Sequence, residues 1–267
     1  MGIAIETVGT GGFQTDYFRF GKGERTLVIL PGLSIQSVCG FADAVAASYA
    51  SIAEDFTVYV FDRRRELPAV YSVSDMADDT AAAMEALGLR GVSLFGASQG
   101  GMIAQLIAIR HPALVGRLVL GSSSSHVTEA QFAAVERWIA LARQGDRAGL
   151  YLDFGEKIYP PAVFAQVKDS LLAAAETVTK RELERFIILA GGMRGFNITG
   201  QLDGIRCPVL AIGVFEDAVL DADATMEIAE KLDERLDFRL YMYTGYGHAA
   251  FDTAPDYRER MRRFLEA

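Results

Sequence analysis

The sequence predicts an α/β fold: a mostly parallel central sheet with helices on both faces and a helical block inserted after the sixth strand. Three observations carry this. Nearly continuous apolar runs such as TLVILP (26–31) and FTVYVFD (56–62) read as strands buried on both faces. They alternate with stretches of helical spacing, which calls for parallel strands joined by right-handed crossovers. The alternation stops at SSSSH (122–126), gives way to helical pattern until about residue 200, and resumes at CPVLAIG (207–213).

Taken in order, IAIETV (3–8) and TDYFRF (15–20) are strands joined through GTGG (9–12), a hairpin. TLVILP is the third strand. FADAVAASYASIAED (41–55) has helical spacing and leads into FTVYVFD, the fourth. MADDTAAAMEALGL (76–89) is helical and ends at Gly88, a C-terminal signal. VSLFG is the fifth strand, followed by a helix from about 99 to 110 that His111-Pro112 stops, and VGRLVLG (115–121) is the sixth. The inserted block holds EAQFAAVERWIALARQ, PAVFAQVKDSLLAAAE and KRELERFIILAGG, all helical. After CPVLAIG come a helix near 223–235, the strand DFRLYMYT (237–244), and a last helix with Tyr257, Met261, Phe264 and Leu265 on one face. The expected organisation is a core of residues 1–122 and 201–267 with a helical cap over 123–200.

At 267 residues the chain is long enough to bury a sizeable core. A net charge of −9 argues against nucleic acid as a partner. No apolar run approaches the ~20 residues a membrane span needs. The start, MGIAIETVGT, lacks the basic and apolar regions of a secretory signal. Cys39 and Cys207 make no disulfide framework and read as buried thiols, so a reducing, cytoplasmic setting is expected. The histidines and cysteines form no ligand-spaced cluster, and no metal site is expected.

The chemistry is concentrated in GASQGG (96–101), one serine among three glycines where a strand meets a helix. A phosphate cradle would need Lys-Ser or Lys-Thr after its glycines, and here Met102 follows. Gly96-Ala97-Ser98-Gln99-Gly100 instead fits a nucleophile elbow, in which a strained turn lifts the serine out and glycines avoid backbone collisions. Such a serine needs a base, and the base an orienter. His111 reads as a helix C-cap. His126 reads as a loop residue at the entrance to the insertion and a candidate substrate contact. His248, in GYGHAAF directly after the last strand, is the expected base. Of Glu216, Asp217, Asp221 and Asp223 after the penultimate strand, Asp221 and Asp223 look like helix N-terminal residues. Asp217 is preferred over the adjacent Glu216, which pattern alone nearly ties with it.

These residues, in the order Ser98, Asp217, His248, resemble the α/β-hydrolase family, and the resemblance covers almost the whole chain. It includes GASQGG, GYGH, LPGLS at the oxyanion-loop position, and FDRRR where the family often has Asp-x-Arg-Gly. LDGIRCPVLAIG before the acid and the helical cap belong to it as well. The resemblance implies an eight-stranded mostly parallel sheet, hydrolysis of an ester or related acyl bond, and oxyanion donors at the backbone N–H groups of Leu33 and Gln99. Two positions depart: the family's frequent His-Gly is Pro31-Gly32 here, and Arg65 replaces the glycine. Serine at 98 argues against the dehalogenase and epoxide hydrolase branches, which use a carboxylate nucleophile.

The reading is a serine hydrolase acting through an acyl-enzyme on a small or medium substrate, with no cofactor. Lactonase, thioesterase, carbon–carbon bond hydrolase, aminopeptidase and acyltransferase activities use the same machinery, and a non-catalytic ligand receptor is the rival of a different class. Arg63, Arg64 and Arg65 follow the fourth strand at its C-terminal end. They read mainly as a solvated loop, and secondly as candidates for holding a substrate carboxylate. The aromatic residues Phe132, Trp138, Tyr151, Phe154 and Phe164 read as cap core, with one or two lining an acyl pocket.

Overall fold

The computed structural model describes residues 2–267. Eight strands form one sheet in the order β1-β2-β4-β3-β5-β6-β7-β8. They are β1 (Ile5–Gly9), β2 (Gln14–Phe20), β3 (Arg25–Leu30), β4 (Phe56–Arg64), β5 (Val92–Ala97), β6 (Val115–Gly121), β7 (Val209–Val214) and β8 (Phe238–Tyr243). Only β1 and β2 run antiparallel to their neighbours; from β4 to β8 every pairing is parallel. All C-terminal ends of the parallel strands therefore open on one edge, where the loops after β3, β5, β7 and β8 meet.

The ten helices among the described residues are α1 (Ala42–Ser48), α2 (Val73–Ala86), α3 (Gln99–Arg110), α4 (Glu129–Gln144), α5 (Arg147–Ile158), α6 (Pro161–Thr177), α7 (Lys180–Gly191), α8 (Asp221–Leu232), α9 (Ala250–Thr253) and α10 (Tyr257–Glu266). Strand periodicity sorts the core into two layers. Val28 and Leu30 of β3 pack with α2, α3 and α8 on one face, while Leu27 and Ile29 pack with α1 and α10 on the other. The helices α4 to α7 lie between β6 and β7 in the chain, and their apolar faces join the first layer.

Several boundaries differ from the sequence expectation. The helix expected over 41–55 ends at Ser48, and residues 49–55 form hydrogen-bonded turns. The cause is tertiary: the Ala53 carbonyl accepts the Lys22 N–H at 3.3 Å, and Thr57 already pairs with Thr26 of β3. Helix α2 starts at Val73 rather than 76, behind a reciprocal capping box of Ser72 and Asp75 that contributes about 1 kcal/mol. Helix α5 is a separate element that periodicity did not isolate, since Gly149 and Gly155 weaken its pattern. Asp146 caps it, and Gly155 lets Leu171 of α6 lie close. Strand β4 runs through Arg64, so Arg63 and Arg64 belong to a strand and not to the loop after it.

Candidate active site

Ser98 stands between β5 and α3 with φ 51° and ψ −121°, a conformation that costs a non-glycine residue free energy unless its surroundings impose it. They do. The Ser98 N–H donates to Gly121 O of β6 at 2.8 Å, and Ser98 O accepts from Gly101 N, Met102 N and Ser123 Oγ. The flanking glycines have a steric reason. A Cβ at Gly96 would lie 2.3 Å from Gly100 O, and one at Gly100 would lie 2.1 Å from Leu30 O. The turn is closed too tightly for any side chain at either position.

His248 follows β8 and is 4% exposed. Its Nδ1 lies 2.7 Å from Asp217 Oδ2. Gly247, at φ 64°, turns the chain into this position, and the Ala249 N–H donates to Ile158 O at the end of α5. The other Asp217 oxygen, Oδ1, accepts the N–H groups of Val219 at 2.8 Å and Leu220 at 3.0 Å, which fixes the carboxylate's direction. Adjacent Glu216 points outward and accepts the Gly245 N–H at 2.7 Å. Asp221 and Asp223 sit in the first turn of α8.

Burial alone would raise the Asp217 pKa; the facing His248 and the two backbone N–H groups outweigh it and bring it below the ordinary carboxylate value. A carboxyl depressed in the folded state contributes stability above its unfolded pKa, and that contribution is lost as pH falls through the folded pKa. Wild type is therefore expected to lose an increment of stability on acidification that Asp217→Asn lacks. Urea midpoints of the two proteins between roughly pH 6 and pH 3 measure it, and parallel curves would refute the coupling.

Ser98 and His248 line one cavity of about 280 Å³ between the strand ends and the inserted helices. The Ser98 hydroxyl makes no hydrogen bond among the described residues. The loop Pro31-Gly32-Leu33 runs alongside: a Cβ at Gly32 would lie 3.2 Å from Ser98 Cβ. The N–H groups of Leu33 and Gln99 donate to no backbone acceptor among the described residues. Both belong to segments that border the Ser98 hydroxyl. The remaining wall is mainly apolar: Trp138, Tyr151 and Phe154 of the insertion contribute to it, whereas Phe132 and Phe164 do not.

Arg63, Arg64 and Arg65 do not line the cavity. Arg63 is buried and donates to Pro31 O and Gln99 Oε1. Arg64 bonds Glu66 O and Asp79, and Arg65 grips Asp16 with both carboxylate oxygens at 2.9 Å. His126 also lies outside the cavity, bridged to Asn197. Arg65→Ala is expected to leave the ratio of kcat/KM for acidic and neutral esters unchanged; preferential loss on the acidic ester would bring Arg65 back to the substrate.

Residues that sequence reasoning did not single out tie the insertion to the site. Gln36 accepts from Tyr151 Oη at 2.9 Å and reaches Glu182 at 3.3 Å. Arg185 donates to Asp62 and to the carbonyls of Arg63 and Arg64. No local signal marks them, because their partners lie more than a hundred residues away in the chain. Among the described residues no group of three or more His, Cys, Asp and Glu is placed to hold a metal ion, and no helix is long and apolar enough to cross a membrane.

Comparison with known proteins follows the same lines. Residues 25–156 match the family model for the alpha/beta hydrolase fold. The chain is 25% identical over 254 residues to "Putative carbamate hydrolase RutD" of Rhizobium rhizogenes, covering 91% of this chain and 93% of that protein. It is 29% identical over 137 residues to serine hydrolase BPHL of Mus musculus, 48% of this chain and 47% of the relative. The crystal structure of MGS-M2, an alpha/beta hydrolase from a Medee basin deep-sea metagenome library, superposes with a TM-score of 0.85 at 19% identity, covering 99% of this chain and 98% of that one.

Proposed function

The chain belongs to the α/β-hydrolase family and is a hydrolase, and from that premise we propose that it is a serine hydrolase cleaving a carboxylic ester or related acyl bond through an acyl-enzyme. The observation that carries the reading is the shared cavity of Ser98 and His248, with Asp217 2.7 Å behind the imidazole. In the proposed cycle His248 Nε2 takes the Ser98 proton as Oγ attacks the carbonyl carbon. The developing oxyanion is held by the N–H groups of Leu33 and Gln99, aided by the positive end of α3. Collapse expels the alcohol, which receives its proton from His248. Water then enters and attacks the acyl carbon as His248 takes its proton; collapse breaks the bond to Ser98 Oγ, which regains its proton from His248, and the acid leaves.

The helices over 123–200 are proposed to act as a cap that closes the site from water. Neither lysine nor arginine is among the residues lining the cavity, whose volume is near the low end for ligand pockets. With Asp252 the acidic residue in the lining, a small acyl or alcohol group without negative charge suits such a wall. The carbamate hydrolase relative, matched along nearly its whole length, supports a second substrate class. A carbamate carbonyl can occupy the same position, with carbamylation of Ser98 replacing acylation.

Intact mass after exposure to a fluorophosphonate tests the nucleophile: wild type gains one adduct and Ser98→Ala gains none. An unmodified wild type, or an equally modified variant, would overturn the serine mechanism. Parallel turnover of aryl esters and aryl carbamates separates the two substrate classes.

A further inference from the structure

Arg63 is a buried cation without an anionic partner. It is 5% exposed and forms no ion pair within 4.0 Å among the described residues. The adjacent carboxylate, Asp62, is engaged elsewhere: Oδ1 takes Arg185 Nη2 at 3.0 Å and the Arg63 backbone N–H at 2.6 Å, and Oδ2 takes Ser37 Oγ. Removing a guanidinium from water carries a large desolvation penalty. Its mark here is a pKa pushed down to about 10, with burial as the main cause. The Nε of Arg63 is buried with no acceptor among the described residues. Stability alone is a poor reason to keep such a group, since an apolar side chain would avoid the penalty.

What the guanidinium does touch is informative. A single nitrogen, Nη2, donates to Pro31 O at 2.8 Å and to Gln99 Oε1 at 3.3 Å. Pro31 precedes Gly32 and Leu33 in the loop beside Ser98, and Gln99 is the first residue of α3. These are the two segments whose N–H groups are proposed to bind the oxyanion. Gly32 has the backbone freedom to let its peptide to Leu33 rotate unless the preceding carbonyl is anchored. On the other side the Gln99 side chain is held between Arg63 and Leu189 O of α7, its Nε2 donating at 2.8 Å.

We propose that Arg63 is a positioning residue, tying the Pro31 carbonyl to the Gln99 side chain and so holding both oxyanion donors in register with Ser98. The assignment rests on the serine-hydrolase reading above. Arg63 does not meet substrate, because it does not line the cavity. Its effect falls on the charge that develops in the transition state, and not on ground-state binding.

The test compares wild type, Ser98→Ala, Arg63→Met and Arg63→Lys on one short-chain aryl ester and one aryl trifluoromethyl ketone. That ketone adds to the serine hydroxyl and places a negative oxygen where the oxyanion forms. Arg63→Met is expected to lower kcat by ~10- to 100-fold with KM within about threefold, and to weaken ketone inhibition by a similar factor. Arg63→Lys, which keeps the charge but not the fork, is expected to recover part of both, and it decides alone if Arg63→Met does not fold. A folded variant with kcat within about twofold of wild type, or with KM raised alone, overturns the proposal. Failure of the serine-hydrolase reading appears elsewhere: wild type would then match Ser98→Ala, and the positioning role would fall with it.

Discussion

Ser98→Ala is expected to lower kcat on short-chain aryl esters by up to ~10⁶-fold while the protein keeps its fold. The size of the effect follows from the proposed roles: without Oγ no acyl-enzyme forms, and the imidazole of His248 has no proton to take. What remains is the ~10³–10⁴-fold acceleration over water that binding and an oxyanion hole supply. The fold should survive because the hydroxyl has no hydrogen-bond partner among the described residues, so its removal strands no donor or acceptor. The strained turn is held by main-chain atoms, Ser98 N to Gly121 O and Ser98 O to Gly101 N and Met102 N, and by Ser123 Oγ, all of which alanine leaves in place. Turnover measured beside thermal unfolding checks both halves. Undiminished activity in a pure variant would remove Ser98 from the mechanism.

Asp217→Asn is expected to reduce kcat by up to ~10⁴-fold, and Glu216→Gln to cost only a few-fold. The asparagine oxygen can still accept the Val219 and Leu220 N–H groups that Asp217 Oδ1 receives now. Its amide nitrogen then faces His248 Nδ1, 2.7 Å away in the native geometry. Two donors cannot share that contact, so Nδ1 must become the acceptor and the ring proton must move to Nε2, the atom needed to take the serine proton. Among the described residues Glu216 meets only the Gly245 N–H, at the surface. Kinetics of both variants on one ester decide the assignment: a crippled Glu216→Gln would move the acid by one residue, and two active variants would leave His248 supported from elsewhere.

Much of the architecture was legible in the chain. Buried runs alternating with helical stretches specify a parallel sheet, because period and burial are local properties of neighbouring residues. The interruption between residues 122 and 200 was visible for the same reason. The spacing Gly96-x-Ser98-x-Gly100 was readable as well, since the collisions it avoids, with Gly100 O and Leu30 O, arise within one turn and the strand beside it.

Side-chain direction was not legible. Pattern nearly ties Glu216 with the preferred Asp217; in the structure they part because the Asp217 carboxylate is seized by the N–H groups of Val219 and Leu220 while Glu216 is drawn to Gly245. The arginine run read mainly as a solvated loop and secondly as a candidate site for a substrate carboxylate. In the structure β4 extends to Arg64, and strand alternation sends Arg63 inward while Arg64 and Arg65 pair with Asp79 and Asp16. Of the five aromatic residues singled out in the insertion, three reach the cavity, a choice made by how α4, α5 and α6 pack and not by their shared helical period. The sequence by itself therefore determined the order of elements and the turn that presents Ser98, both matters of local periodicity and sterics. Which atoms face the cavity, and which buried groups hold them there, was decided only by tertiary structure, because those contacts join residues far apart in the chain and depend on where each backbone hydrogen bond finds its partner.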